Sequence, residues 1–91
     1  MSGSRKWSVE FLKAARASLA DLPLQVRFQV SRKILFLEED PLPASCKKLQ
    51  GRTDLFRIRS GDYRVVYRID RAAHRVTIVR IRPRKDVYRG L

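Results

Sequence analysis

Residues 55–82 read LFRIRSGDYRVVYRIDRAAHRVTIVRIR, and they carry the clearest structural signal in this chain of 91 residues. Three runs rich in β-branched and aromatic residues, which favour strands, are separated by two turn signals, Gly61-Asp62 and Arg71–His74. We therefore predict an antiparallel meander of three strands at Leu55–Ser60, Tyr63–Asp70 and Arg75–Arg82.

Charge follows the strand alternation in this stretch. Successive side chains of a strand point to opposite faces, and here one face is apolar while the other carries arginines, namely Arg57, Arg59, Arg64, Arg68, Arg80 and Arg82. The same alternation assigns Val66, Val76 and Ile78 to the arginine face, which predicts a groove with an apolar floor or rim. Alternation alone is typical of any half-exposed strand. Like charges on neighbouring strands repel, however, so the bias of sign indicates an anionic ligand.

The first half of the chain predicts a short strand and two helices. Trp7, Val9 and Phe11 alternate with polar residues, as in a strand. Helical spacing follows, first at Phe11, Ala15, Leu19 and Leu22, and then, after the break at Leu22-Pro23, at Val26, Val30, Ile34 and Leu37. The second helix is expected to run to about Glu39. We predict one α+β domain over residues 1–91, a two-layer β-α-α-β-β-β fold with a helical hairpin on one face of an antiparallel sheet.

Composition limits the classes of function. The formal net charge is +12, and residues 47–91 hold fourteen basic and four acidic residues, which points to a polyanionic partner of the second half. With Cys46 and His74 as the only cysteine and histidine, we expect no disulfide, no metal site and no histidine triad. Apolar runs are too short for a membrane span, and no apolar segment follows Met1–Lys6, so we expect no secretory signal and a cytoplasmic location.

Three segments of the second half resemble the RelE/ParE toxin superfamily. They are Lys48–Gly51, Leu55–Tyr67 and Ile81–Arg89, and the likeness is closer to the RelE branch, whose members are ribosome-dependent endoribonucleases that cut mRNA in the A site. The resemblance implies catalytic roles for Arg59, Arg64, Arg84 and Tyr88, with Arg57 and Arg59 standing where the best-known members carry lysine. We assign RNA binding to the other basic residues near this set: Arg57, Lys48, Arg80, Arg82, Lys85 and Arg89.

Cleavage of RNA through its own 2′-hydroxyl needs a base, positive charge on the phosphate and help for the leaving oxygen. Tyr88 is the candidate base, since neighbouring cations favour a phenolate. Arg59 and Arg64 would clamp the scissile phosphate, and Arg84 would stabilise the leaving oxygen. Tyr88 as a mere anchor of the chain end stays an alternative.

The resemblance also implies partners: mRNA, the ribosome and a cognate antitoxin with acidic or amphipathic segments, without a metal or another cofactor. Two other functions remain open. One is a ParE-like inhibitor of DNA gyrase that acts by binding, and the other is a non-catalytic basic nucleic-acid-binding protein.

Most aromatic residues are predicted to pack in the core rather than to stack on bases. Strand parity places Tyr63 and Tyr67 on the helix-facing side of the sheet. Core or helix–sheet packing is also the simplest role for Trp7, Phe11, Phe28, Phe36 and Phe56. His74 falls in a hairpin turn, where a catalytic role is not expected, and Cys46 is taken as a bystander.

Overall fold

The computed structural model describes residues 6–51 and 54–83. This part of the chain forms two helices, α1 (Lys13–Ala20) and α2 (Leu24–Phe36), neither of which is long and apolar enough to cross a bilayer. It also forms five strands: β1 (Ser8–Phe11), β2 (Lys47–Lys48), β3 (Leu55–Ser60), β4 (Tyr63–Asp70) and β5 (Arg75–Pro83). The predicted two-layer α+β fold is confirmed.

The strands form one mixed sheet in the order β1-β5-β4-β3-β2. The meander of β3, β4 and β5 is antiparallel, as predicted. The structure adds two features. The first strand, β1, pairs parallel to β5, with Val9 opposite Val76, and the two-residue strand β2 extends the other edge by pairing antiparallel with β3. Parallel strands need a long connection between them. Here α1 and α2 provide it, because they carry the chain from β1 across the sheet before the other strands begin.

The helical layer covers one face of the sheet, with α1 against β5 and α2 against β3 and β4. The Leu22-Pro23 break separates the helices as predicted, and Arg27 bridges it. Its Nη2 donates to the carbonyl oxygens of Ala20 and Leu22 at 3.2 Å each, which satisfies acceptors left open at the end of α1. Both predicted helix stripes face the sheet and contribute Ala15, Leu22, Val30, Ile34 and Leu37 to the buried core.

A bulge in β5 corrects one prediction. Val76 and Ile78 are not on the arginine face; both are fully buried on the helix side. The reason is that Val66 pairs with Arg80 whereas the next residue, Tyr67, pairs with Ile78, so Val79 is an extra residue in β5. An extra residue inverts the alternation. The arginine face therefore lacks the predicted apolar floor, and Val66 is the apolar residue left between its arginines.

Tyr67 anchors the chain between α2 and β2. The side chain is fully buried, as predicted, and stacks on Phe56 with ring centroids 6.0 Å apart. Its hydroxyl donates to the carbonyl oxygen of Pro41 at 2.7 Å. Burial, with smaller contributions from Cys46 and Asp40, raises the pKa of the Tyr67 phenol far above its usual value. The phenol therefore stays protonated and keeps this donor at any physiological pH.

Candidate functional site

Two adjacent rows of side chains cross the open face of the sheet at one end. In the first row, Arg59 lies opposite Arg64, and Arg64 lies opposite Arg82. Directly opposite residues project to the same face, and neighbouring strands are about 4.8 Å apart. Three arginine side chains from three strands therefore project from neighbouring positions on the same face.

The second row is one step further along the strands and spans four of them. Lys47, Arg57, Val66 and Arg80 are successive partners from β2 to β5. The two rows together bring six cations to one end of the open face. We call these residues the basic cluster: Lys47, Arg57, Arg59, Arg64, Arg80 and Arg82.

The opposite end of the same face is neutralised internally. There the Nε of Arg68 lies 3.4 Å from an Asp54 carboxylate oxygen, and the Nε of Arg75 lies 3.6 Å from one of Glu10. By contrast, no carboxylate in residues 6–51 and 54–83 forms an ion pair with Arg59, Arg80 or Arg82. Positive charge on the open face is thus segregated at one end.

The basic cluster has the composition of an anion site. Arg59, Arg80 and Arg82 are exposed, and Arg57 and Arg64 are half-buried. Guanidinium groups bind phosphate oxygens in pairs, and a bound anion would reduce the repulsion between neighbouring like charges. Within the described residues, no three His, Cys, Asp or Glu side chains cluster so as to hold a metal ion.

Of the residues expected at the site, the structure brings five into the basic cluster: Arg57, Arg59, Arg64, Arg80 and Arg82. It places Lys48 elsewhere. Lys48 pairs with Phe56, whose ring is buried under the helices, so Lys48 projects to the helix side of the sheet edge. The other four, Arg84, Lys85, Tyr88 and Arg89, lie outside the described residues.

Sequence reasoning missed Lys47, which the register puts on the arginine face. A two-residue strand has no alternation pattern to read, so only its pairing with Arg57 reveals which lysine faces the cluster. The dipeptide Lys47-Lys48 indicates positive charge near the first strong strand. It does not indicate which of the two lysines faces the arginines.

The remaining candidate residues lie away from the basic cluster. His74 has a left-handed φ of 55° in the β4–β5 turn, and its ring stacks on Trp7 with centroids 4.0 Å apart. Asp70, which precedes this turn, lies six residues along β4 from Arg64. His74 is therefore separated from Arg64 by roughly 20 Å. Cys46 is half-buried against the core beside Tyr67.

Two aromatic residues expected in the core are exposed instead. Phe28 and Phe36 on α2 are 62% and 57% exposed, and Leu24 and Leu35 are exposed to a similar extent. Phe36 also lines an open groove of about 520 Å³ with Arg32 and Lys33, between α2 and the β3–β4 turn. The outer side of α2 is therefore an apolar surface with basic neighbours, and the expected core packing of Phe28 and Phe36 is wrong.

Comparison with known proteins agrees with the fold. The family model of the ParE toxin of type II toxin–antitoxin systems (parDE) matches residues 9–88. The chain is 30% identical to a protein in the archaeal RelE–RelB complex from Pyrococcus horikoshii, covering 87% of this chain and 96% of that one with a TM-score of 0.78. It is 32% identical to one in a RelBE toxin–antitoxin complex from Mycobacterium tuberculosis, covering 87% and 99% with a TM-score of 0.77.

A third structure supports the fold alone. The isolated RelE toxin of E. coli is 24% identical over 93% of this chain and 99% of that one, with a TM-score of 0.76. Comparison with curated protein sequences gives no significant match.

A two-layer α+β fold with an arginine-bearing open sheet face, together with these likenesses, defines a class of protein. The chain belongs to the RelE/ParE superfamily of toxins. Within that class it is a toxin of a type II toxin–antitoxin system, and an antitoxin is its expected partner.

Proposed function

We propose that this toxin is an endoribonuclease of the RelE type, which cuts mRNA in the ribosomal A site. The observation that carries the proposal is the convergence of Arg59, Arg64 and Arg82 in one row, with Arg57 and Arg80 beside them. A phosphate above this face would meet arginine side chains from three strands. Attack of a 2′-hydroxyl on the phosphate needs such positive charge to stabilise the transition state.

In the proposed reaction, the 2′-oxygen attacks the adjacent phosphorus, and the bond from phosphorus to the 5′-oxygen breaks. The 2′-proton passes to a base, and the leaving 5′-oxygen takes up a proton from solvent water, so that the products are a 2′,3′-cyclic phosphate and a 5′-hydroxyl. Arg59 and Arg64 hold the scissile phosphate, and their charge stabilises the crowded transition state.

In this proposal Tyr88 accepts the 2′-proton, and the charge of Arg84 stabilises the leaving 5′-oxygen. The described part of β5 ends at Pro83, which pairs with Tyr63 at the same end of the sheet as the arginine row. Five further residues span at most about 18 Å, a length of chain that would allow Tyr88 to reach that row.

The A-site role is tested by inducing the toxin in cells and mapping mRNA 5′ ends on translated messages. We expect cuts in phase with codons for the wild type. Arg64→Ala should reduce them at least a hundredfold, since removing one transition-state donor costs about 10²–10³-fold. Tyr88→Phe should cost at least tenfold, on the ~10²–10⁴-fold scale of acid–base residues.

Arg71→Ala is the matched control because Arg71 is an exposed arginine in the turn at the other end of β4. It should cut within twofold of the wild type. Uncut mRNA in cells that stop growing would contradict the endoribonuclease proposal.

Gyrase inhibition is the second candidate function, and the match of residues 9–88 to the ParE family model favours it. It predicts DNA damage with intact mRNA, inhibition of DNA supercoiling by purified gyrase, and toxicity that survives Tyr88→Phe. The two functions are therefore separated by the same set of variants.

The antitoxin we propose is acidic and amphipathic, and the helical layer supports this. Neither α1 nor α2 contains an aspartate or glutamate, although together they carry five basic residues. On α2 these lie beside the exposed side chains of Leu24, Phe28 and Leu35. An amphipathic segment with acidic flanks would bury the apolar surface and pair with the cations.

A further inference from the structure

We infer that Lys47 and Arg57 form a second phosphate subsite at the β2 edge of the sheet, which holds the RNA chain one or more nucleotides away from the scissile phosphate. This inference rests on the proposed function, because it concerns the path of the same RNA. It assigns a substrate-positioning role to Lys47, a residue that sequence reasoning left out.

The register places Lys47 on the correct face. Lys47 is the direct partner of Arg57, which is the direct partner of Val66 on the open face. The two side chains therefore project side by side from strands about 4.8 Å apart. Arg59, two residues along β3, lies about 6.6 Å from Arg57 along the strand on the same face. The subsite is thus continuous with the row proposed to hold the scissile phosphate.

The next cations on the open face show where the RNA chain can continue. Among the described residues, the row next to Arg59, Arg64 and Arg82 holds Arg80, Arg57 and Lys47. Beyond that row, the described arginines Arg68 and Arg75 are paired with carboxylates. A polyanion leaving the scissile position therefore meets cations along the second row, which Lys47 extends to the β2 edge.

Lys47 suits the phosphate of a nucleotide, and Val66 suits its ribose or base. Lys47 is exposed, and no carboxylate in the described residues pairs with it, so its charge is available to a phosphate oxygen. Val66 lies between Arg57 and Arg80 in the same row and is half-buried. It offers an apolar surface for a ribose or base between two phosphate contacts.

The test measures binding of purified toxin to a 2′-O-methylated hexanucleotide RNA, which cannot be cut because no 2′-hydroxyl is present. Fluorescence anisotropy is recorded over a series of salt concentrations. Lys47→Ala should weaken binding about three- to tenfold at 0.1 M salt and reduce the slope of log K against log salt by about 0.7, the loss of one phosphate contact. Lys47→Arg should retain both.

Two comparisons decide whether position or mere charge is responsible. Lys13→Ala removes the same charge from an exposed position on α1 and should leave the slope unchanged. Lys48→Ala removes it one residue from Lys47 but from the other face, so its effect should be clearly smaller. Equal losses for Lys47→Ala and Lys48→Ala would overturn the inference, as would a slope unaltered by Lys47→Ala.

Arg64→Ala on the same RNA separates this inference from the proposed function. If Arg64→Ala abolishes binding while Lys47→Ala has no effect, the subsite is wrong and the proposed function stands. If neither variant changes binding, the open face does not hold RNA, and both proposals fall. A loss restricted to acidic polypeptides such as polyglutamate would assign Lys47 to a protein partner and would also overturn the subsite.

Discussion

Tyr67 shows how one residue links the sheet to the chain that returns from α2. Strand parity in the sequence was enough to place its ring in the core. The acceptor of its hydroxyl, the carbonyl oxygen of Pro41, lies 26 residues away. No local pattern could reveal that partner, because it depends on how the linker folds back under the sheet.

The raised pKa of Tyr67 predicts a loss of stability at alkaline pH. The unfolded phenol releases its proton near pH 10, whereas the folded phenol retains it. Unfolding therefore releases a proton above pH 10, and the folded state loses up to about 1.4 kcal/mol per pH unit from this group. Below pH 10 the phenol is protonated in both states, and the effect is absent.

Tyr67→Phe should remove this alkaline slope, at a cost of about 1 kcal/mol near pH 8 from the lost hydrogen bond. Urea unfolding from pH 8 to 11 measures both effects. Tyr63→Phe serves as the control because Tyr63 is a half-buried tyrosine on the same strand. An equally steep alkaline loss in Tyr67→Phe would show that another group is responsible.

At the scale of elements, the bulge in β5 is the feature that could not be predicted from the sequence. The bounds of β3 and β4 were predicted correctly because turn residues mark both ends. In β5 the run Val76 to Ile81 contains apolar residues at both parities, and only pairing with β4 shows that Val79 is the extra residue. Without it, Arg80 and Arg82 would share the parity of Val76 and Ile78 and point into the core. The positions of two of the five arginines in the basic cluster thus depend on one inserted residue.

The exposed side of α2 leads to a prediction about the antitoxin. Phe28→Ser should weaken binding of the cognate antitoxin about tenfold or more, since burial of a phenylalanine side chain contributes about 1.5–3 kcal/mol. Toxicity in the absence of antitoxin should be unchanged, because α2 covers the face of the sheet opposite the basic cluster. Isothermal titration calorimetry with the purified antitoxin measures the affinity.

Gln25→Ser is the matched control, since Gln25 is an exposed polar residue of the same helix. Its affinity for the antitoxin should match that of the wild type. Unchanged affinity in Phe28→Ser would mean that the antitoxin binds another surface.

For the whole molecule, unequal distribution of charge has a cost in stability. The net charge of +12 is concentrated in the second half, and the basic cluster gathers six cations at one end of the sheet. The composition predicted that the partner carries negative charge. The alternation of apolar and charged residues predicted which face of the sheet carries the arginines. The ion pairs that neutralise the other end, between Glu10 and Arg75 and between Asp54 and Arg68, join residues distant in sequence and could not be foreseen.

This cost predicts a stabilising effect of phosphate. At equal ionic strength, the melting temperature should be higher in phosphate than in chloride, by about 4–8 °C for each kcal/mol of binding free energy in a domain of this size. Phosphate also stabilises proteins generally, so the informative quantity is the difference between the wild type and a variant of the cluster.

The double variant Arg59→Gln/Arg82→Gln changes two exposed arginines of the first row. It should melt at a higher temperature than the wild type in low salt, because repulsion is relieved, and it should gain less from phosphate. Differential scanning calorimetry measures both quantities. An equal gain in the two proteins would argue against an anion site in the cluster.

The parallel pairing of β1 with β5 joins the beginning of the chain to its last described strand. Val9 and Phe11 complete their side of the core only when Val76 and Ile78 are present, and contacts so distant in sequence form late in folding. A nascent chain that still lacks β5 has no partner for β1 and cannot complete this side of the core. The toxin is therefore expected to fold only after its fifth strand has been synthesised.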